Sequence, residues 1–163
     1  MLGIYRSLTL FFYPLFVLII LIRKIFKKEN SESLKGKLFP SKFLVNRNQS
    51  KKLIWFHAAS IGEAQSIIPL IKKILNSTEN TEILMTTITQ SSASLMRENF
   101  KNHENVKHRF LPLDIKFLID KFLDSWKPNL ALFVDSEIWP NFLTEIKERN
   151  IPLILLNGRI TKR

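Results

Sequence analysis

Past residue 52 the chain alternates short apolar runs with segments of helical spacing, and this alternation limits the possible folds more than any other feature. We predict strands over residues 53–58, 82–88, 106–111, 130–134 and 151–156. The intervening segments predict helices over residues 63–75, 91–100, 114–126 and 140–150, and Asp114 is predicted to cap the third of these helices. Strands that alternate with helices through short connections are typical of a parallel sheet covered by helices on both faces. The predicted fold class is therefore α/β, with a doubly wound parallel sheet.

The composition is that of a globular chain with room for one modest domain and an appendage, because 45% of its 163 residues are apolar and 24% are charged. The chain contains no cysteine, which excludes disulfides, thiolate metal sites and a cysteine nucleophile. His103 and His108 lack the spacing of a metal site with any carboxylate, and His57 is interpreted as a structural histidine. We therefore expect no metal and no cofactor.

Residues 1–22 are apolar, and Arg6 is their only charge. A spanning helix needs roughly 20 apolar residues, so this segment is just long enough if Arg6 reaches the headgroups, with Tyr5 and Tyr13 at or near that depth. The charges follow the apolar run and no small-residue cleavage pattern is present, which favours an uncleaved anchor, spanning or deeply monotopic. A cleaved signal peptide and a helix lying in the interface are the alternatives.

Residues 23–52 contain ten basic and only two acidic residues, and therefore carry most of the formal net charge of +11. A basic segment after an anchor indicates the cytoplasmic side of the membrane. It also favours contact with an anionic membrane surface, while a solvated linker is the alternative. The basic residues are not spread over a folded face with interleaved aromatics, so no nucleic-acid partner is expected. We accordingly divide the chain into a membrane anchor (1–22), a basic juxtamembrane linker (23–52) and a domain (53–163).

A strand order of 3-2-1-4-5 would place the reversal between strands one and four, where open α/β sheets bind ligands. Glu63 follows the first strand, and two interpretations are open for it. With Ser60 it forms a capping-box pattern at a helix N-terminus; alternatively it is a general base that deprotonates a sugar hydroxyl. Gly62 permits a close backbone approach, which suits a large substrate or a tight turn.

Asp135, Ser136 and Glu137 follow the fourth strand. Their acids are either partners of a helix dipole or, for Glu137, a second carboxylate that positions the acceptor or stabilises charge in the transition state. Thr87 and Thr89, after the second strand, either bind sugar hydroxyls or phosphate at a helix N-terminus or cap that helix. The chain has neither a G-x-G-x-x-G pattern nor a Walker loop, so no motif supports nucleotide binding within it.

Several short blocks, read in order, resemble 3-deoxy-D-manno-octulosonic acid transferases (Kdo transferases). The blocks are residues 55–63 (WFHAASIGE), 85–89 (MTTIT), 111–114 (LPLD), 126–128 (WKP), 136–141 (SEIWPN) and 151–153 (IPL). The first and the fifth are specific, and the ordered matches run from Trp55 to Arg159.

The resemblance implies a GT-B glycosyltransferase whose Rossmann-like N-terminal domain receives lipid A or its precursor, lipid IVA. A C-terminal domain would bind the donor substrate, CMP-Kdo, and Kdo would be transferred with inversion and without a metal. By motif, Glu63 matches the family's catalytic proton acceptor and Glu137 matches its second essential carboxylate. The expected location is the inner membrane, with the catalytic domain on the cytoplasmic side.

The chain departs from the family pattern in two respects. It lacks the CMP-Kdo-binding domain and the family's later basic site residue, so we expect a truncated domain that is inactive alone. Asp135 and Ser136 also stand where the family usually has Glu and Thr. The alternatives are a non-catalytic lipid A-binding remnant of such an enzyme and a glycosyltransferase that acts on another lipid.

Overall fold

The computed structural model describes residues 1–40, 47–135 and 139–158. Five strands form one sheet in the order β3-β2-β1-β4-β5, and all four pairings are parallel. The strands are β1 (Lys52–Ala58), β2 (Thr81–Thr87), β3 (Val106–Phe110), β4 (Leu130–Val134) and β5 (Leu153–Leu156). The predicted α/β class is confirmed, and the strand order is the one on which the predicted site depends. In particular, β1 and β4 are neighbours, so the order reverses between them.

Four helices connect these strands: α4 (Ile61–Ser77), α5 (Gln90–Phe100), α6 (Lys116–Trp126) and α7 (Pro140–Glu148). Helix α4 begins two residues before the predicted start because Ser60 is its N-cap. The prediction that Asp114 caps α6 is wrong, since the N-cap of α6 is Ile115 and makes no side-chain capping hydrogen bond. The role of Asp114 lies at another helix, described below.

Apolar residues cover both faces of the sheet, because successive strand residues point in opposite directions. In β1, Leu53 and Trp55 join the cluster formed with α6 and α7, while Phe56 and Ala58 join the cluster formed with α4 and α5. The Trp55 indole also donates a 2.8 Å hydrogen bond to the Thr86 hydroxyl. Burial of each such large side chain contributes about 1.5–3 kcal/mol, so the two clusters supply most of the driving force for folding.

The N-terminal segment forms two helices, α1 (Leu2–Phe11) and α2 (Tyr13–Ile25). Among the described residues no single helix is long and apolar enough to cross a membrane, which corrects the expectation of one anchor helix. Together the two have the length and apolar composition of a span, but they are bent by 51°. The break precedes Pro14, which lacks an N–H and lies in the first turn of α2.

Both N-terminal helices contact the sheet domain. The Tyr5 hydroxyl donates to Asp114 at 2.8 Å, and Arg6 pairs with Glu145 at 2.7 Å. Arg6 therefore pairs with a carboxylate of the domain rather than reaching toward headgroups as expected. Tyr13 makes an edge-to-face contact with Phe117, whose centroid is 5.3 Å away.

Helix α3 (Ser31–Leu38) lies in the segment expected to be a linker, and it packs on the edge strand β3. The approach is close, since a Cβ on Gly36 would lie 3.0 Å from the Cβ of Phe110. Two basic residues of the same segment are used inside the fold, because Lys37 pairs with Glu29 at 2.7 Å and Arg47 with Glu82 at 3.8 Å. Helix α3 thus covers an edge that would otherwise be open to pairing with another chain.

Candidate active site

The carboxylate of Glu63 is held at the N-terminus of α4 by two donors. The Ser60 hydroxyl donates to its Oε1 atom at 2.7 Å, and the Ala59 backbone N–H donates to its Oε2 atom at 2.9 Å. The Glu63 N–H in turn donates to the Ser60 hydroxyl at 3.2 Å. The bond from the Glu63 N–H to the N-cap Ser60 is that of the predicted capping box, but the Glu63 carboxylate accepts from the Ala59 N–H rather than from the Ser60 N–H. This arrangement also leaves Glu63 oriented and only partly buried, so the capping interpretation and the base interpretation are geometrically compatible.

Gly62 lies beside this carboxylate and is exposed. A Cβ at this position would meet nothing within 4 Å, and its φ is not positive. Neither the turn nor the packing of the chain therefore requires a glycine here. The open space over its backbone is available to a ligand.

The chain after β4 arrives at the same edge of the sheet as the chain after β1. His57 pairs in register with Phe133, so the two strands end side by side. Asp135, directly after β4, adopts a left-handed backbone conformation with φ 58°, and its N–H donates to Leu156 at 2.8 Å. Aspartate adopts this conformation more readily than most residues, and Lys27, Lys127, Asn150 and Asn157 adopt it too, so the backbone conformation of Asp135 does not by itself mark a functional site. Ser136 and Glu137 lie outside the described residues.

The two candidate threonines are engaged by neighbouring groups. Thr87 is fully buried, and its hydroxyl hydrogen bonds to His108 Nε2 at 2.8 Å. Burial, together with the charges of Arg97 and Arg109, lowers the pKa of His108 from 6.5 to about 3, so the imidazole is neutral at pH 7. Thr89 is the N-cap of α5 and accepts a hydrogen bond from the Ser92 N–H at 3.3 Å. Both side chains therefore support the loop that follows β2.

Asp114 joins two segments near the candidate site, a role that the sequence patterns missed. Its carboxylate accepts hydrogen bonds from the N–H groups of Asn141 at 3.3 Å and Phe142 at 3.0 Å, and so caps α7. The buried Asn141 side chain returns a 2.7 Å hydrogen bond to the Asp114 carbonyl. The Leu-Pro-Leu-Asp and Trp-Pro-Asn blocks are therefore joined, which neither block reveals by itself. The sequence signal that could have revealed this cap was Pro140 at the first position of α7. A proline there begins a helix, and the N–H groups of the residues that follow it in the first turn still need an acceptor.

A cavity of about 270 Å³ lies beside this junction. Residues of α2 and α3 line it together with the chain that follows β2 and β3, Asp114 and Trp139. Most of the lining side chains are apolar, but Arg23, Glu29 and Lys37 form a charged cluster in which Glu29 Oε1 accepts from Lys37 at 2.7 Å and from Arg23 at 3.1 Å.

Burial shapes the ionisation of this charged cluster. It lowers the pKa of Lys37, although the neighbouring carboxylate opposes the change. Burial also acts to raise the pKa of Glu29, but hydrogen bonds from Lys37 and Ser33 outweigh it, so this pKa lies below its ordinary value. The hydrogen bonds of Arg23 and Lys37 to the shared Glu29 carboxylate hold α2 against α3.

No group of three or more His, Asp or Glu side chains in the described parts of the chain is placed to hold a metal ion.

A parallel sheet of order β3-β2-β1-β4-β5 with helices packed on both faces defines a Rossmann-like α/β domain, and its topological switch point lies between β1 and β4. The family of 3-deoxy-D-manno-octulosonic-acid transferases (kdotransferases) matches residues 34–163. The chain belongs to this family of glycosyltransferases.

Individual relatives agree with this assignment. A 3-deoxy-D-manno-octulosonic acid transferase of Rickettsia bellii is 32% identical over 163 residues, which is 100% of this chain and 38% of the relative. A probable mitochondrial 3-deoxy-D-manno-octulosonic acid transferase of Arabidopsis thaliana is 40% identical over 111 residues, which is 68% of this chain and 24% of the relative. The transferase of Haemophilus influenzae is 33% identical over 110 residues, covering 68% of this chain and 25% of the relative. The chain thus spans less than two fifths of the length of each of these relatives.

Proposed function

We propose that the chain is the acceptor-binding N-terminal half of a GT-B Kdo transferase that moves Kdo from CMP-Kdo to lipid A or lipid IVA. The observation that carries the proposal is the Glu63 carboxylate, which two donors orient at the switch point of a sheet belonging to the Kdo transferase family. Such an oriented carboxylate is what a general base requires.

In the proposed reaction the Glu63 carboxylate takes the proton of an acceptor hydroxyl. The freed oxygen forms a bond to the anomeric carbon of Kdo as the bond from that carbon to the phosphate of CMP breaks, and CMP leaves with the bonding electrons. Attack from the face opposite CMP inverts the anomeric centre, and the proposed step uses no metal. Glu137, the second carboxylate of the proposal, stabilises charge near the transition state.

The proposed acceptor contacts surround Glu63. Ser60 and the open backbone at Gly62 lie beside it, and Asp135 with Ser136 follows the neighbouring strand. The hydroxyls of Thr87 and Thr89 already bond within the domain, and in this proposal they shape the loop after β2 at the edge of the acceptor site. The mostly apolar cavity beside Asp114 would receive part of an acylated lipid.

The proposed location is the inner (cytoplasmic) membrane, with the domain on the cytoplasmic side and an anionic membrane surface as a partner. Support comes from the apolar helices α1 and α2, which many basic residues follow directly.

Donor binding belongs in this proposal to a second domain, because the chain spans only 38% of the Rickettsia bellii relative. Without donor binding energy the barrier is not lowered, so we expect the 163 residues alone to be inactive.

The test is an assay with CMP-Kdo and lipid IVA, in which the chain is fused to the C-terminal portion of a related Kdo transferase. The fusion should transfer Kdo, the chain alone should not, and Glu63→Gln in the fusion should abolish transfer while lipid IVA still binds. A fully active Glu63→Gln fusion would exclude the base. Lipid binding without transfer by any fusion would favour a non-catalytic lipid-binding role.

A further inference from the structure

The outer face of α1 and α2 carries a continuous apolar stripe. Six of its residues follow one another at alternating intervals of four and three, and each is between 42% and 76% exposed: Ile4, Leu8, Phe11, Leu15, Leu18 and Ile22. Such spacing places side chains on one face of a helix. The stripe crosses the break between the two helices without changing its spacing. A stripe of this length facing outward is not explained by the packing of the domain.

The opposite face of the same two helices is attached to the rest of the protein through five residues. Tyr5 and Arg6 bond to Asp114 and Glu145, and Tyr13 contacts Phe117. Nearer the end of α2, Ile20 is only 5% exposed and the Arg23 guanidinium bonds to Glu29 at 3.1 Å. The attached face and the apolar stripe therefore lie on opposite sides of both helices along their whole length.

This two-faced arrangement discriminates between the possible membrane orientations. A helix that crosses a bilayer is surrounded by lipid on all sides, so α1 would have to leave the domain, and Arg6 would lose its ion pair with Glu145. An in-plane helix needs only one apolar face. Exposed Lys24, Lys27 and Lys28 follow the stripe, which matches the charge of anionic headgroups.

We propose that α1 and α2, as they lie on the domain, form an in-plane anchor whose apolar stripe inserts into one leaflet of an anionic membrane without crossing it. The inference deepens the proposed membrane location and rests on it. Ile20 and Arg23, on the attached face of α2, line the cavity beside Asp114, so the width of α2 separates that cavity from the occupied leaflet.

The orientation can be tested by cysteine accessibility, since the natural chain has no cysteine. Gly3→Cys is suitable because a Cβ at this position meets nothing within 4 Å. In spheroplasts that express the full chain, an in-plane anchor leaves residue 3 on the cytoplasmic side, so a membrane-impermeant maleimide labels it only after lysis. Lys72→Cys, on the exposed surface of α4, serves as the matched cytoplasmic control. Labelling of Gly3→Cys in intact spheroplasts would overturn the proposal, because a spanning anchor exposes residue 3 outside.

Flotation of the purified chain with vesicles of phosphatidylglycerol and phosphatidylethanolamine tests whether the apolar stripe binds a membrane. The chain should float, and replacing Lys24, Lys27 and Lys28 together with Gln should weaken binding on the order of 100-fold. A chain that stays unbound, or that forms a dimer in place of binding vesicles, would show that the stripe serves another partner. Neither measurement uses Kdo transfer, so failure of the proposed reaction would leave both results standing.

Discussion

The carboxylate of Asp114 accepts a 2.8 Å hydrogen bond from the hydroxyl of Tyr5, which lies 109 residues earlier in the chain. The same carboxylate caps α7 through the N–H groups of Asn141 and Phe142. Since α7 begins three residues after Glu137, one side chain connects the N-terminal helices to the segment that carries the second proposed carboxylate.

Removal of the Asp114 carboxylate should destabilise α7 and release α1. We expect Asp114→Ala to lower the free energy of unfolding by about 2–3 kcal/mol, the loss of a helix cap together with a charge-assisted hydrogen bond. Tyr5→Phe is the matched variant, because it removes only the bond to α1 and should cost about 1 kcal/mol. Chemical denaturation in detergent measures both. Equal losses in the two variants would contradict the capping role.

The capping and catalytic roles of Glu63 can be separated. Gln at position 63 can accept from the Ala59 N–H with its amide oxygen and donate to the Ser60 hydroxyl with its amide NH2, so Glu63→Gln should leave the melting temperature nearly unchanged while it abolishes transfer in the fused enzyme. Ser60→Ala should instead lower stability by about 1 kcal/mol, because α4 loses its N-cap side chain. If Glu63→Gln unfolds the protein, its loss of transfer would come from the lost structure and would not support Glu63 as the general base.

The open space above Gly62 predicts a variant that folds normally but binds acceptor poorly. Gly62→Ala should be neutral or stabilising by up to about 1 kcal/mol, because nothing lies within 4 Å of the new Cβ and alanine is a better helix former. If lipid IVA approaches this backbone closely, its KM should rise at unchanged stability. Gly36→Ala is the contrasting variant, because its Cβ would meet Phe110 at 3.0 Å and should destabilise the fold. An unchanged KM for Gly62→Ala would exclude close contact there.

His108 should make stability depend on pH. Its pKa is about 3 in the folded protein and 6.5 ordinarily, so below pH 6.5 the unfolded chain binds a proton that the folded chain does not. The folded state is therefore favoured fully above pH 6.5 and loses stability as the pH falls from 6.5 toward 3. His108→Gln, which can keep a hydrogen bond to Thr87, should reduce the loss between pH 7 and pH 5 in denaturation curves. An identical pH profile in the variant would contradict this assignment.

The buried pair of Glu29 and Lys37 should respond differently to single and double replacement. Glu29→Gln leaves the Lys37 ammonium, 8% exposed, without its carboxylate, and should cost about 3 kcal/mol. Combined with Lys37→Met, which removes the buried charge, the same change should recover most of that stability. Melting temperatures of the two single variants and the double variant measure the coupling. Additive losses would show that the pair does not interact energetically.

Local patterns predicted the strands and the Ser60–Glu63 capping box because these features depend on residues close together in the sequence. Apolar runs over residues 53–58 and 130–134 imply strands buried on both faces, and the capping box spans one helical turn. The N-terminal helix was predicted less well. Its composition resembles a membrane span, but the break before Pro14 and the bonds of Tyr5 and Arg6 to distant residues give it a different course.

The sequence alone determined that this chain makes a parallel α/β sheet with carboxylates beyond its first and fourth strands, because hydrophobic periodicity and short connections act locally. Only the tertiary structure decided that Asp114 caps α7 rather than α6, that Lys37 lies buried against Glu29, and that one face of α1 and α2 rests on the domain. These three outcomes depend on which groups folding brings together. A polar side chain bonds to whichever partner the packed apolar clusters place within reach, and that partner can be more than a hundred residues away.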